Sequence, residues 1–272
     1  MKKNQFPYLH GFSKEEQQRL RDQAQFAEFA VYQNVDFTES EHILEIGVGV
    51  GAQSEILLRR FPKLKITGID ASAKQLEAAK YMLEKTSFYK NRFDLKEMNA
   101  EKMLFKNKTF DGAFLCWILE HVKNPKNVLA EAKRVLKPGS PIYITEVLNS
   151  SFFLDPYSPC TWRYWMIFND YQFENAGDPF IGAKLGNLLV DLDFKDINIQ
   201  IKTWHFDKRN PERRKKTIIY WTNLLLSAKD LLLEKSLVDE KLVKGMQKEL
   251  HQVVNNPDAV FFYSFAQASA IV

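Results

Sequence analysis

The sequence predicts an α/β protein built on a mostly parallel sheet. From residue 43 onward, short apolar, β-branched runs alternate with helical stretches, the rhythm of right-handed βαβ units. Runs such as 110–117 are apolar almost throughout, as strands covered on both faces are. The chain is long enough, at 272 residues with 45% hydrophobic content, to bury a full core without disulfide staples.

The elements follow in order. The opening segment is aromatic, with Phe6, Tyr8, His10 and Phe12. Ser13 and Glu16 have capping-box spacing, so a helix should run from there to about Tyr32. A strand at 43–46 ends in a glycine turn and is followed by a helix over 53–61. The run 65–70 is a second strand, and Ser72 with Gln75 opens a helix to about Lys85. Residues 91–98 alternate as a strand does, with Phe93 and Leu95 on one face. A fourth strand covers 110–117, with Asp111 organising its start. The helix over 125–136 is stopped by Pro138 and Gly139, and 141–148 is the fifth strand. Beyond residue 148 the rhythm breaks. Nine aromatic residues fall within 152–173, 180–192 reads as helix and 196–204 as strand. One long helical block over 210–254 precedes a seventh and last strand at 259–271.

Several function classes are excluded early. Cys116 and Cys160 have no metal-ligand spacing, and no metal site is expected. The longest apolar stretch, 218–233, is interrupted by Thr222, Asn223, Ser227, Lys229 and Asp230, which leaves no membrane span. Lys2 and Lys3 are not followed by an apolar core of a signal peptide, so a cytoplasmic location is expected. The net charge of +4 resides in 207–216, which holds six basic and two acidic residues; the rest balances. One such cluster reads first as a solvated loop or helix start, and nucleic acid is an unfavoured partner.

The informative stretch is Glu45-Ile46-Gly47-Val48-Gly49-Val50-Gly51. Glycines at this spacing let the backbone turn sharply after a strand and approach a ligand closely. Gly47, Gly49 and Ala52 also fit a dinucleotide pattern, and Asp70, 23 residues after Gly47, suits ribose hydroxyls in either case. Glu45 decides between them. A carboxylate at the strand tip would repel a pyrophosphate and suits a ligand bearing an ammonium or sulfonium.

These residues, followed by Gly68-Ile69-Asp70-Ala71-Ser72, resemble the class I S-adenosylmethionine-dependent methyltransferases. The resemblance continues in Asn99-Ala100-Glu101, Thr109-Phe110-Asp111, Leu119-Glu120-His121-Val122 and Arg134-Val135-Leu136-Lys137-Pro138-Gly139, across about residues 40–148. It implies a Rossmann-like, seven-stranded sheet with helices on both faces and an antiparallel last strand. It also implies S-adenosylmethionine as cofactor and S-adenosylhomocysteine as product. Glu45 then lies near the methionine end, and Gly47, Gly49 and Gly51 form the turn against the cofactor. Asp70 takes the ribose hydroxyls and Ala71 lies beside the adenine. Asn99 and Ala100 replace an Asp-Ala pair that reads the adenine edge, and backbone near Cys116 meets the methionine ammonium. Tyr8, His10, Gln23, His121, Glu146, Tyr157 and Tyr164 are further candidates for cofactor or substrate contact. Glu146 is the foremost carboxylate for a general base, but no catalytic residue is assigned.

The expected organisation is an N-terminal lid segment and helix (1–35) and a cofactor-binding core (36–149). An aromatic cap insertion (150–180), continued core (181–206), helical cap insertion (207–257) and final core strand (258–272) follow. Trp162, Trp165 and Phe168 repeat every third residue, a pattern of packed core more often than of a binding box. No element marks a nucleic-acid amine, arginine or metal-dependent catechol methyltransferase. The expected acceptor is a small, partly apolar metabolite. The alternatives are a tRNA or protein substrate held by the 208–216 cluster and, further off, a nicotinamide-dependent oxidoreductase.

Overall fold

The apolar runs of the first half pair as neighbouring strands. The computed structural model describes residue 11 and residues 13–272. The first half contains α1 (Lys14–Tyr32), β1 (His42–Ile46), α2 (Ala52–Arg60), β2 (Lys65–Asp70), α3 (Ala73–Glu84), β3 (Phe93–Glu97), β4 (Ala113–Cys116), α4 (Pro125–Val135) and β5 (Pro141–Val147). The second contains β6 (Phe153–Asp155), α5 (Pro159–Glu174), α6 (Leu185–Asp191), β7 (Lys195–Phe206), α7 (Pro211–Ser227), α8 (Lys229–Glu234), α9 (Glu240–Asn255) and β8 (Val260–Ile271).

Strands β3, β2, β1, β4 and β5 lie side by side in that order, all parallel. β8 joins β5 antiparallel, with Pro141 opposite Ile271, and β7 pairs with the other edge of β8. The expected seven-stranded, mostly parallel sheet with a reversed last strand is therefore present. Short β6 is an unforeseen addition that continues along β8 beyond the end of β5, Phe153 opposite Phe262.

Alternation along the strands builds a core on each face. Ile43 and Ile66 turn toward α1 and α2, whereas Leu44, Ile46, Ile69 and Leu115 turn toward α4 and α6. Local signals set the helix starts: Ser13 Oγ accepts the Glu16 N–H at 3.2 Å, and Ser72 Oγ accepts that of Gln75 at 3.4 Å. Gln267 on β8 donates to Val31 O at 2.5 Å, which fixes α1 over the sheet. Asp111 accepts the His42 N–H at 2.9 Å, so it holds the start of β1 rather than that of its own strand.

One strand is shorter than expected. The fourth strand covers 113–116 rather than 110–117, because Phe110 leaves the sheet to bridge Leu136 and Trp117 takes a left-handed backbone, φ +54°. The helical block expected over 210–254 is present and divides into three helices, interrupted near Ala228 and again at 235–239. The basic cluster that opens it is largely engaged. Arg209 pairs with Asp207 and Lys208 with Asp258, while Arg213 stacks on Phe26 and Phe206. Arg214 is buried and donates to the carbonyls of Asn256, Pro257 and Ala259, tying α7 to the entry of β8. Arg214→Ala would leave those carbonyls without their donor. It is expected to cost about 2–4 kcal/mol in urea unfolding, and a loss within error of zero would refute this tether.

Candidate active site

β1 ends where the chain must reverse into α2, and Gly47 makes the turn at φ +80°. The Gly47 and Val48 N–H groups donate to Ile69 O at 2.8 and 3.1 Å, so the turn hangs from the end of β2. Asp70 completes the attachment. Its Oδ2 accepts the Gly49 N–H and its Oδ1 the Ser72 N–H, both at 2.8 Å. Each oxygen keeps a second lone pair for a ligand. Burial pushes the Asp70 carboxyl above its usual range, opposed by these backbone donors.

A cavity of about 760 Å³ opens along this edge of the sheet. One end is lined by Gly47, Gly49, Asp70, Ala71, Asn99 and Ala100, with Cys116 at the tip of β4. The other end is walled by Trp117, Phe168, Tyr171, Trp204, Trp221 and Tyr263. Helix α1 crosses above it. Arg19 binds both Glu16 oxygens at 2.7 Å and donates to Tyr220 Oη at 2.8 Å, so α1 and α7 meet at the cavity rim. Glu120 and His121 also face the cavity, and Gln172 Nε2 donates to Glu120 Oε2 at 2.9 Å. Among the described residues, no group of three His, Cys, Asp or Glu side chains is placed to hold a metal. No described helix is long and apolar enough to cross a membrane.

Residues 44–144 match the family model described as a methyltransferase domain. Over that span, a little more than a third of the chain, the sequence is similar to the class I S-adenosylmethionine-dependent methyltransferases. The cofactor of this family is S-adenosylmethionine. This chain is 30% identical over 162 residues to an O-methyltransferase, cnsE, of Penicillium expansum, covering 59% of this chain and 54% of that protein. It is 31% identical over 108 residues to a demethylmenaquinone methyltransferase of Thermotoga maritima, covering 40% and 44% respectively. The chain thus spans about half the length of the curated relatives it matches. A solved putative methyltransferase from Bacillus halodurans shares the fold, with TM-score 0.58 and 15% identity over 90% of this chain and 97% of that one.

The cavity gathers Gly47, Gly49, Asp70, Ala71, Asn99, Ala100, Cys116, Gln23 and His121, and leaves out other candidates. Gly51 caps α2, and a Cβ there would lie 3.0 Å from that of Ala79; its smallness serves the α2–α3 contact, not the cavity. Tyr157 is 67% exposed beside β6, away from the cavity. Tyr164 is fully buried and donates to Leu225 O at 2.9 Å, joining α5 to α7. Trp165 and Phe168 are both core and cavity wall, whereas Trp162 faces outward. Tyr8 and His10 lie outside the described residues. Glu146 is sealed from the cavity, and its Oε1 accepts the Ile118 and Leu119 N–H groups at 2.9 and 2.6 Å, so it is not placed to take a proton from a substrate. Arg19, Trp117, Tyr220 and Trp204 are cavity residues that the sequence reading did not single out; only Arg19, set among the polar residues of an amphipathic helix, carried a local signal.

Glu45 also lies outside the cavity, on the strand face toward α2. It is buried, receives the Ser54 hydroxyl at 2.5 Å on Oε2 and leaves Oε1 without a partner. Burial raises its pKa from 4.5 to about 8. Between those values the unfolded chain is ionised at this residue and the folded chain is not. Its contribution to stability is therefore whole below about pH 4.5 and is lost as the pH rises toward 8. Glu45→Gln is expected to melt with the wild type near pH 5 and above it at pH 8. A gap that does not change with pH would contradict the assignment.

Proposed function

We propose that the chain catalyses in-line methyl transfer to a small, partly apolar metabolite, leaving S-adenosylhomocysteine. The observation that carries this is a single cavity continuous from the glycine turn and Asp70 to an aromatic wall. The cofactor end fits the group: a Cβ at Gly49 would meet nothing within 4 Å, so backbone and ligand can approach there, and Asp70 keeps free lone pairs. In this reading Asp70 accepts the ribose hydroxyls, Ala71 and Ala100 flank the adenine, and Gly47 and Gly49 lie against the cofactor. Asn99 Oδ1 already accepts the Glu101 N–H at 2.8 Å and offers the adenine edge what remains of its amide. Backbone near Cys116 meets the methionine ammonium. Glu45 acts only from beneath the turn.

The bound cofactor supplies an electrophilic methyl group on a sulfonium. The protein's task is to hold an acceptor in line with it, and such alignment is worth up to about 7–11 kcal/mol. The aromatic wall excludes water and disperses positive charge across ring faces. Helix α1, with residues 150–180 and 207–257, forms the cap over the acceptor; the lid expected of residues 1–10 lies outside the described residues.

Calorimetric titration with S-adenosylmethionine, S-adenosylhomocysteine and NAD(H) tests the reading. Micromolar binding of the first two without NAD is expected, and binding of NAD alone would overturn it. Methyl-labelled cofactor then screens small acceptors, whose turnover should be insensitive to salt. Steep salt dependence would point instead to a nucleic-acid substrate.

A further inference from the structure

We propose that Glu146 is a positioning residue whose carboxyl clamps the turn 117–121 in the one conformation that joins the glycine turn to the cap. Three successive backbone N–H groups converge on the end of β5. Trp117 N donates to Thr145 O at 2.8 Å, and Ile118 N and Leu119 N both donate to Glu146 Oε1. The turn needs holding, because Trp117 sits at φ +54°, a region that bulky residues rarely enter.

What the clamp holds faces two ways. The Ile118 side chain packs on the glycine turn so closely that a Cβ at Gly47 would lie 2.8 Å from it. Two residues on, Glu120 O accepts the Asp178 N–H at 2.8 Å and Gln172 Nε2 at 3.2 Å, which docks the end of α5. Trp117, Ile118 and Glu120 all line the cavity between these contacts. Cofactor end and acceptor end therefore meet through one turn, and Glu146 is its anchor.

The clamp works by geometry rather than charge. Glu146 is fully buried, and its Oε2 has no hydrogen-bond partner. Burial, reinforced by nearby Glu120, pushes its carboxyl well above the usual range, and Oε1 is the accepting oxygen. Glutamine reproduces that shape. Aspartate keeps the acid but withdraws the oxygen by one methylene.

The test compares Glu146→Gln and Glu146→Asp by amide hydrogen exchange over 117–122 and 175–180 and by S-adenosylhomocysteine titration. The titration rests on the function proposed above; the exchange does not. If the wild type fails to bind S-adenosylhomocysteine, that function falls while the exchange still judges the clamp. Glu146→Gln is expected to exchange like the wild type and bind within about threefold of it. Glu146→Asp is expected to speed exchange in both segments at least tenfold and weaken binding by about tenfold. An aspartate variant indistinguishable from wild type in exchange, or a glutamine variant as impaired as aspartate, would overturn the proposal. Should Glu146→Asp fail to fold, Trp117→Gly added to it relieves the left-handed backbone and is expected to restore a cooperative melt; no restoration would overturn the role assigned to strain.

Discussion

Asp70→Ala is expected to weaken S-adenosylhomocysteine binding by a hundredfold or more. Two losses combine. A hydrogen bond to a charged group contributes about 1.5–3 kcal/mol, and each 1.4 kcal/mol is about tenfold in affinity, so losing the ribose contacts alone gives roughly ten- to a hundredfold. The same carboxylate holds the Gly49 and Ser72 N–H groups at 2.8 Å, so the variant also loosens the glycine turn and the start of α3. Asp70→Asn keeps one acceptor and should fall between alanine and wild type. Calorimetry of each variant, beside the melting temperature without ligand, separates the two losses. Unchanged affinity would remove Asp70 from the site; a loss matched by collapse of the unliganded protein would make it a staple only.

The second large effect is a contrast between neighbouring glycines. Both Gly47 and Gly49 have positive φ, which costs an alanine about 1–2 kcal/mol. At Gly47 the new Cβ would also lie 2.8 Å from both Cβ and Cγ1 of Ile118, and such overpacking costs a further 1–3 kcal/mol or so. Gly47→Ala should therefore lower the melting temperature of the unliganded protein markedly and lose binding with it. At Gly49 the Cβ meets nothing and projects into open space. Gly49→Ala should stay folded at a modest cost yet bind S-adenosylhomocysteine at least tenfold more weakly, and Gly49→Val worse still. If Gly49→Ala binds normally, the ligand does not pass over this turn.

These contrasts mark how far the residues alone could be read. The end of the cavity proposed to take the cofactor is local: Gly47, Gly49, Asp70 and Asn99 sit at strand ends, and in a parallel α/β sheet all strand ends of one sense share one edge. The helices were legible where a cap announces them, as at Ser13 and Ser72. Gly51 and Glu45 belong to the same short motif yet leave the cavity, since one packs against Ala79 and the other turns beneath the strand toward Ser54. Glu146 looked like an available base, but its accepting oxygen is taken by two backbone N–H groups from a turn 27 and 28 residues away.

The sequence by itself determined a mostly parallel sheet and the glycine-turn edge, because strand periodicity and turn chemistry act between residues close along the chain. Only the tertiary structure decided the aromatic end of the cavity. Arg19 reaches Tyr220 across 201 positions, and Trp117, Trp204 and Tyr263 come together from three strand ends and loops. No local pattern encodes such meetings. They arise when α1 and α7 close over the sheet, and burial then fixes which side chain faces ligand and which becomes core.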